Sequence, residues 1–153
     1  MNTTAIEPIR MNATVPLSPD DAFDLFTARL HTWWPLATHS VFEGNVETCV
    51  FEPRAGGRIV ERSRTGEESV WAEVIAFERP HRFIVSWHPG GGPATEVQVT
   101  FTPADDGTYV ELEHRGWEVF EKPEEARGPY AGGWAFVFGE RYASAASAHA
   151  ARE

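Results

Sequence analysis

Apolar and polar positions alternate with a period of two through most of this chain and shift to helical spacing in only two stretches. Ile9, Met11, Ala13 and Val15 alternate with Arg10, Asn12 and Thr14, which predicts a first strand. In LSPDDAFDLFTARL the period changes, with Phe23, Phe26 and Leu30 on one helical stripe. Ser18 suits an N-cap, Pro19 the first helical position, and Asp20 and Asp21 the positive end of the dipole. Pro35 disfavours helical geometry at Trp34, so this helix is expected to end before it.

From residue 46 onward period two returns. VETCVFEP, RIVERSR, SVWAEVIAFE, FIVSWH, TEVQVTFTP and TYVELEHRGW read as successive strands with turns such as TGEE, PGGGPA and ADDG between them. Short connections between consecutive strands mean an antiparallel sheet. Val110, Leu112 and His114 share the inner face of the last strand. Glu73 shares parity with Trp71, Ile75 and Phe77, which predicts an inward carboxylate. EVFEKPEEARGPY reads as irregular. The remainder is an Ala-rich helix with Trp134, Val137, Phe138, Arg141, Tyr142 and Ala145 on one side. Gly139 within it suggests the close approach of another group.

The layout is strand, helix, six strands, long helix, an α+β arrangement. Its 153 residues fit a single domain spanning 1–153, with enough chain to bury a core unaided. The final helix is the only long element available to cover the sheet, and large aromatics between the two layers can hold a cavity open.

Charge and cysteine usage then narrow the partners. Thirteen Lys and Arg against 23 Asp and Glu give a net charge of −10, which argues against nucleic acid and against an anionic membrane surface. Cys49, alone in the sequence, sits in a strand-like run and reads as a small buried apolar residue. MNTTAIEPIR shows no secretory pattern and no apolar run approaches a membrane span, so a cytoplasmic protein is expected.

The ordered set DDAFDLFT, WWP, FEPRAGGRIVE, GEESVWAEVIAFERPHRFIVSW, TEVQVTFTPADDGTYVELEHRGW and PYAGGWAFVF resembles the SRPBCC superfamily, the START-like or helix-grip proteins. Within it the chain is similar to the branch named for the activator of heat-shock protein ninety ATPase, from about Ile9 to Tyr142. The resemblance implies a seven-stranded curved antiparallel sheet wrapped around a long C-terminal helix, with a hydrophobic cavity between. It also implies binding of lipids, hormones or polyketides, and in some members cyclase or dehydratase chemistry. Ala72 departs from the family pattern, which has Gly there, and the thin Ala-rich helix end implies either a wider cavity mouth or a surface for pairing as a homodimer. Nothing here corresponds to the chaperone-binding domain of the co-chaperone, so an interaction role ranks below the others. Fold alone does not fix the chemistry.

The chain carries no GxSxG, HExxH, P-loop or dinucleotide motif, and no cofactor is expected. His81 and His88 lie at opposite ends of one strand, and His31 and His39 lack completing ligands, so no metal is expected either. Arg58, Arg62 and Arg64 beside Glu61 read as an exposed charged face. Six tryptophans are the strongest signal. Trp71, Trp87, Trp134 and Phe138 are the expected cavity lining, with Trp34, Trp117 and Tyr130 at its mouth and His114 orienting a ligand. Of the Trp33–Trp34 pair, one is expected to pack beneath Phe26 and the other to help close the mouth. Binding of a small hydrophobic or aromatic molecule is the favoured reading. The alternative is an enzyme in the same cavity, with His114, Glu73 and Tyr130 as candidate acid/base groups.

Overall fold

Seven antiparallel strands form one curled sheet in the order β1-β7-β6-β5-β4-β3-β2 in the computed structural model, which describes residues 6–151. The strands are β1 (Ile9–Val15), β2 (Val46–Phe51), β3 (Arg58–Ser63), β4 (Glu68–Glu78), β5 (Arg82–Trp87), β6 (Thr95–Ala104) and β7 (Gly107–Arg115). Residues 1–5, on which part of the leader reading rests, lie outside the described residues. No helix among the described residues is long and apolar enough to cross a membrane.

Helix α1 (Pro19–Phe26) follows β1 and is capped by Ser18, whose hydroxyl accepts from the Asp21 amide at 3.2 Å. Its inner face buries Ala22, Phe23, Leu25 and Phe26. A bidentate ion pair from Arg79 to Asp24, both contacts 2.8 Å, ties α1 to the turn after β4. That hydrogen-bonded guanidinium holds the Asp24 carboxyl below its usual range.

The C-terminal segment runs as α2 (Pro123–Phe136), a wider π-type stretch (Val137–Tyr142) and α3 (Ala143–Ala151). The helix therefore starts inside the stretch that sequence pattern marks as irregular. Pro123 stands at the first position with Glu124 and Glu125 in the first turn, ordinary start signals that Pro129 obscured. Arg127 fastens the start to β1, donating to the Glu7 carbonyl at 2.7 Å and the Pro8 carbonyl at 3.3 Å. Gly139 meets no neighbour closely; it lies exposed in the π-type stretch. The altered winding also turns Arg141 to solvent while Tyr142 and Ala146 stay buried.

Two bulges on β4 overturn the parity reading there. Ile59 pairs with Ala72 and Val60 with Val70, leaving Trp71 as the extra residue. Val74 pairs with Val85 and Ala76 with Ile84, leaving Ile75 extra. Trp71 and Val74, an odd number of positions apart, thus both face inward, while Glu73 is exposed and Ile75 is 53% exposed.

The sheet's concave face meets the helices in an aromatic core. At one end Phe23, Phe26, Phe83 and Phe101 interlock with Phe138 and Tyr142. At the other end tryptophan takes over.

Candidate functional site

Between the tryptophan end of the sheet, α2 and the loop after Trp34 lies a cavity of about 300 Å³. Trp71 from β4 and Trp87 from β5 form its sheet wall. Tyr130, Gly133 and Trp134 of α2, with Val137, form the helix wall. Trp34 closes a third side, and Thr38, His39, Ser40 and Val41 form the rim. Ring centroids separate by 5.1 Å for Trp34 and Trp71, 5.9 Å for Trp34 and Trp87, and 5.4 Å for Trp87 and Trp134. Gly133 widens the helix wall, since a Cβ built there would meet nothing within 4 Å. Below Trp34 the space bounded by Phe26, Phe51 and Phe83 narrows to about 10 Å³, no more than one water-sized probe.

Consecutive tryptophans diverge. Trp33 packs edge-on against Phe26 at 5.3 Å and donates to the Leu25 carbonyl at 2.8 Å. Trp34 turns to the cavity and donates to the His39 carbonyl at 2.7 Å, which folds the rim loop back over its own indole.

Five of the six indole N–H groups find acceptors, the remaining three being Trp71 on the Glu61 carboxylate, Trp117 on the His114 carbonyl at 3.0 Å and Trp134 on His114 Nδ1 at 2.9 Å. Trp87 Nε1 is buried with no acceptor among the described residues.

Glu61 is the feature that sequence reasoning missed. Its carboxylate is fully buried and accepts from the Val41 amide at 2.6 Å, the Phe42 amide at 3.0 Å and the Trp71 indole. One buried group thereby joins a cavity wall to the rim loop. The signal was its shared parity with Ile59 and Ser63, both buried; exposed Arg58, Arg62 and Arg64 hid it. Cys49, paired opposite Glu61, is buried, and desolvation together with that carboxylate pushes its thiol up to about 12.

His114 stands one layer behind the wall. It is fully buried, with Nδ1 accepting from Trp134 and Nε2 at 2.6 Å from the Thr95 hydroxyl. The Thr95 hydroxyl also reaches the Trp87 carbonyl at 3.2 Å. The consistent assignment is a neutral ring with its proton on Nε2, donating to Thr95, which donates onward to Trp87. Burial depresses the imidazole to about 3, in keeping with that neutral form. Both nitrogens are engaged by the protein, so the ring positions Trp134.

The structure brings Trp34, Trp71, Trp87, Tyr130 and Trp134 to one cavity. Trp117 and His114 are packed together behind it, their rings 4.2 Å apart, and Phe138 is buried at the filled end against Tyr142. Glu73 is turned away to solvent by the bulges. Tyr130 is thus the one candidate acid/base group on the wall, and burial raises its hydroxyl above the usual range. No three His, Cys, Asp or Glu side chains among the described residues group so as to hold a metal ion.

A curled antiparallel sheet gripping a long C-terminal helix around an aromatic cavity defines the helix-grip class. Residues 16–141 match the family of activator of Hsp90 ATPase homolog 1-like proteins, and the chain belongs to that family. No curated protein matches it by sequence. A Rhodobacter sphaeroides protein of solved structure is 25% identical, with 96% of this chain and 94% of that one covered and a TM-score of 0.70. An anthrahydroquino-gama-pyrone synthase, solved as a complex, is 30% identical over 80% of this chain and 84% of its own, with a TM-score of 0.57. An Hsp90 activator from Plasmodium falciparum shares the fold at 18% identity, covering 72% of this chain and 73% of its own, with a TM-score of 0.52.

Proposed function

We propose that this protein binds a small, flat hydrophobic or aromatic molecule in the tryptophan-walled cavity. The observation that carries the reading is the asymmetry of the space between sheet and helix: about 300 Å³ stays open between the indoles, Tyr130 and the rim, and about 10 Å³ on the inner side of Trp34, Trp87 and Trp134, where Phe26, Phe51, Phe83 and aliphatic side chains fill in. Small-molecule sites are concave, apolar and sparsely polar, and this one has four indole faces with a hydroxyl and a rim of Thr38, His39 and Ser40. Trp34, Trp71, Trp87 and Trp134 supply the stacking surfaces, and Tyr130 the polar contact. His114 acts indirectly, by fixing Trp134.

Calorimetric titration and thermal melting with a panel of planar aromatic compounds test this. At least one compound is expected to bind and to raise the melting temperature. Gly133→Leu, which sends a side chain into open space, is expected to abolish both effects while the variant stays folded. If no compound binds the parent protein, or if Gly133→Leu binds as well as the parent, the reading fails.

A second reading, a cyclase-like enzyme in the same cavity, is favoured by the 30% identity to the pyrone synthase and by the Tyr130 hydroxyl at the wall. A hydroxyl with a raised pKa stays protonated at neutral pH and can donate to a developing oxyanion. Turnover of a polyketone substrate that Tyr130→Phe lowers at least a hundredfold would establish it; no turnover would leave a binding protein.

A further inference from the structure

Trp87 is 6% exposed, and its Nε1 is the one buried side-chain nitrogen or oxygen without a hydrogen-bond partner among the described residues. A buried donor left unpaired costs free energy, and native proteins avoid it except where something else satisfies the group. The contrast with the other indoles sharpens the point. Trp33, Trp34 and Trp117 each reach a backbone carbonyl, Trp71 a carboxylate and Trp134 an imidazole nitrogen. The fold thus finds acceptors for indoles in its loops, strands and helix. Trp87 is held firmly all the same: its carbonyl takes the Thr95 hydroxyl, and its ring lies 6.1 Å from Trp71 and 5.4 Å from Trp134.

Tyr130, a wall residue like Trp87, has a hydroxyl close enough to feel the indole N–H, which offsets part of the rise that burial causes. The two do not meet hydrogen-bond geometry. A donor and a hydroxyl therefore stand side by side on the wall of one apolar space, and a ligand oxygen that displaces the hydroxyl can accept from the donor.

We propose that Trp87 Nε1–H is the polarity reader of the cavity, and that it selects flat aromatic ligands carrying a carbonyl or comparable acceptor oxygen over pure hydrocarbons of the same shape. The proposal rests on the binding reading above and adds to it the polarity of the ligand and the residue that senses it. Trp134 cannot do this work, because its N–H is spent on His114. The rim hydroxyls of Thr38 and Ser40 are also engaged, with His39 Nδ1 and with the Leu36 carbonyl.

The matched pair fluorenone and fluorene, one frame with and without a carbonyl, tests the proposal by calorimetric titration. The parent protein is expected to bind fluorenone about tenfold more tightly, the discrimination one buried hydrogen bond gives. In Trp87→Phe the ratio of the two affinities is expected to fall to about one, whatever loss both ligands share. Tyr130→Phe is expected to keep more than half of the discrimination on a logarithmic scale. Should Trp87→Phe not fold, proton–nitrogen correlation spectra of the parent decide instead. The Trp87 indole proton is expected to move downfield with fluorenone and to stay unshifted in that direction with fluorene. Equal binding of the two ligands, discrimination that survives Trp87→Phe, or discrimination lost only in Tyr130→Phe overturns the proposal and leaves the binding reading standing. Binding of neither compound, nor of any other in the aromatic panel, overturns both.

Discussion

The two ends of the space between sheet and helix are built from the same elements and reach opposite results. At the filled end, phenylalanine and tyrosine rings meet at many inclinations, from stacked Phe138 and Tyr142 at 5.7 Å and 8°, through tilted Phe26 and Phe138 at 6.3 Å and 42°, to edge-on Phe23 and Phe83 at 6.0 Å and 84°. At the open end, Trp34 lies tilted by 44° and 46° against Trp71 and Trp87 and edge-on at 86° to Trp134. Compact single rings interdigitate; bicyclic indoles, three of the four on the cavity wall pinned by the N–H to a particular acceptor, do not collapse onto one another. Hydrogen bonding to Glu61, His39 and His114 thus keeps the cavity walls apart. One end stores stability and the other keeps space.

If this division is right, substitutions at the filled end should cost most. Phe26→Ala is expected to lower stability by about 3–5 kcal/mol, read from denaturant unfolding. An equal loss of ligand affinity in the fraction that stays folded would blur the two ends into one. Glu61→Gln comes next. The amide cannot accept from all three N–H groups as the carboxylate does, and a loss of about 1–3 kcal/mol is expected. The Val41 and Phe42 amides should exchange hydrogen faster in that variant, and unchanged protection would refute Glu61 as the latch of the rim.

Acid tests the layer behind the wall. His114 stays neutral in the fold down to about 3, whereas an ordinary histidine takes a proton near 6.5. Between those values the unfolded chain binds the extra proton. Stability is therefore intact above 6.5 and falls as pH drops toward 3, by on the order of 1 kcal/mol per pH unit. His114→Asn should have a correspondingly flatter profile when melting is followed from pH 7 to pH 4. The smallest effect belongs to Gly133→Ala. Its new methyl group meets no atom within 4 Å and improves helix propensity. A gain of up to about 1 kcal/mol is expected, with slightly weaker ligand binding. A loss of stability would show that the helix wall is closer-packed than described.

Period-two patterning carried the sheet, because most strands keep their alternation, as Val110, Leu112 and His114 do in β7, with a single irregularity near the start of β2. It failed on β4, where an unpaired residue at Trp71 and another at Ile75 reset which face comes next, and no local residue type announces a bulge. Resemblance to a known family supplied the grip of sheet on helix, and tryptophan content pointed to the cavity. Which tryptophans line it was legible only in part. Trp117 has the same chemistry as Trp134, but Gly116, at φ 91°, turns the chain so that Trp117 packs behind the wall. Glu61 and the unpartnered Trp87 N–H depend on atoms brought together from distant segments, which no pattern along one strand can display.

The π-type stretch from Val137 to Tyr142 divides the C-terminal helix into two phases. Ahead of it, Tyr130, Gly133 and Trp134 are set for the cavity; at its end and beyond, Tyr142 and Ala146 are set for the closed core. Such a stretch is the footprint of one residue more than a regular helix would hold. Removing one, for instance exposed Gly139, would let the stretch rewind as ordinary helix with both flanks in their present phases, whereas keeping it in a regular helix would swing everything after it by about 100°. Tyr142 would then lose the Ala22 carbonyl it now reaches at 2.9 Å. The surplus residue works as a phase adjuster, letting one continuous rod present an open register to the cavity and a closed register to the core.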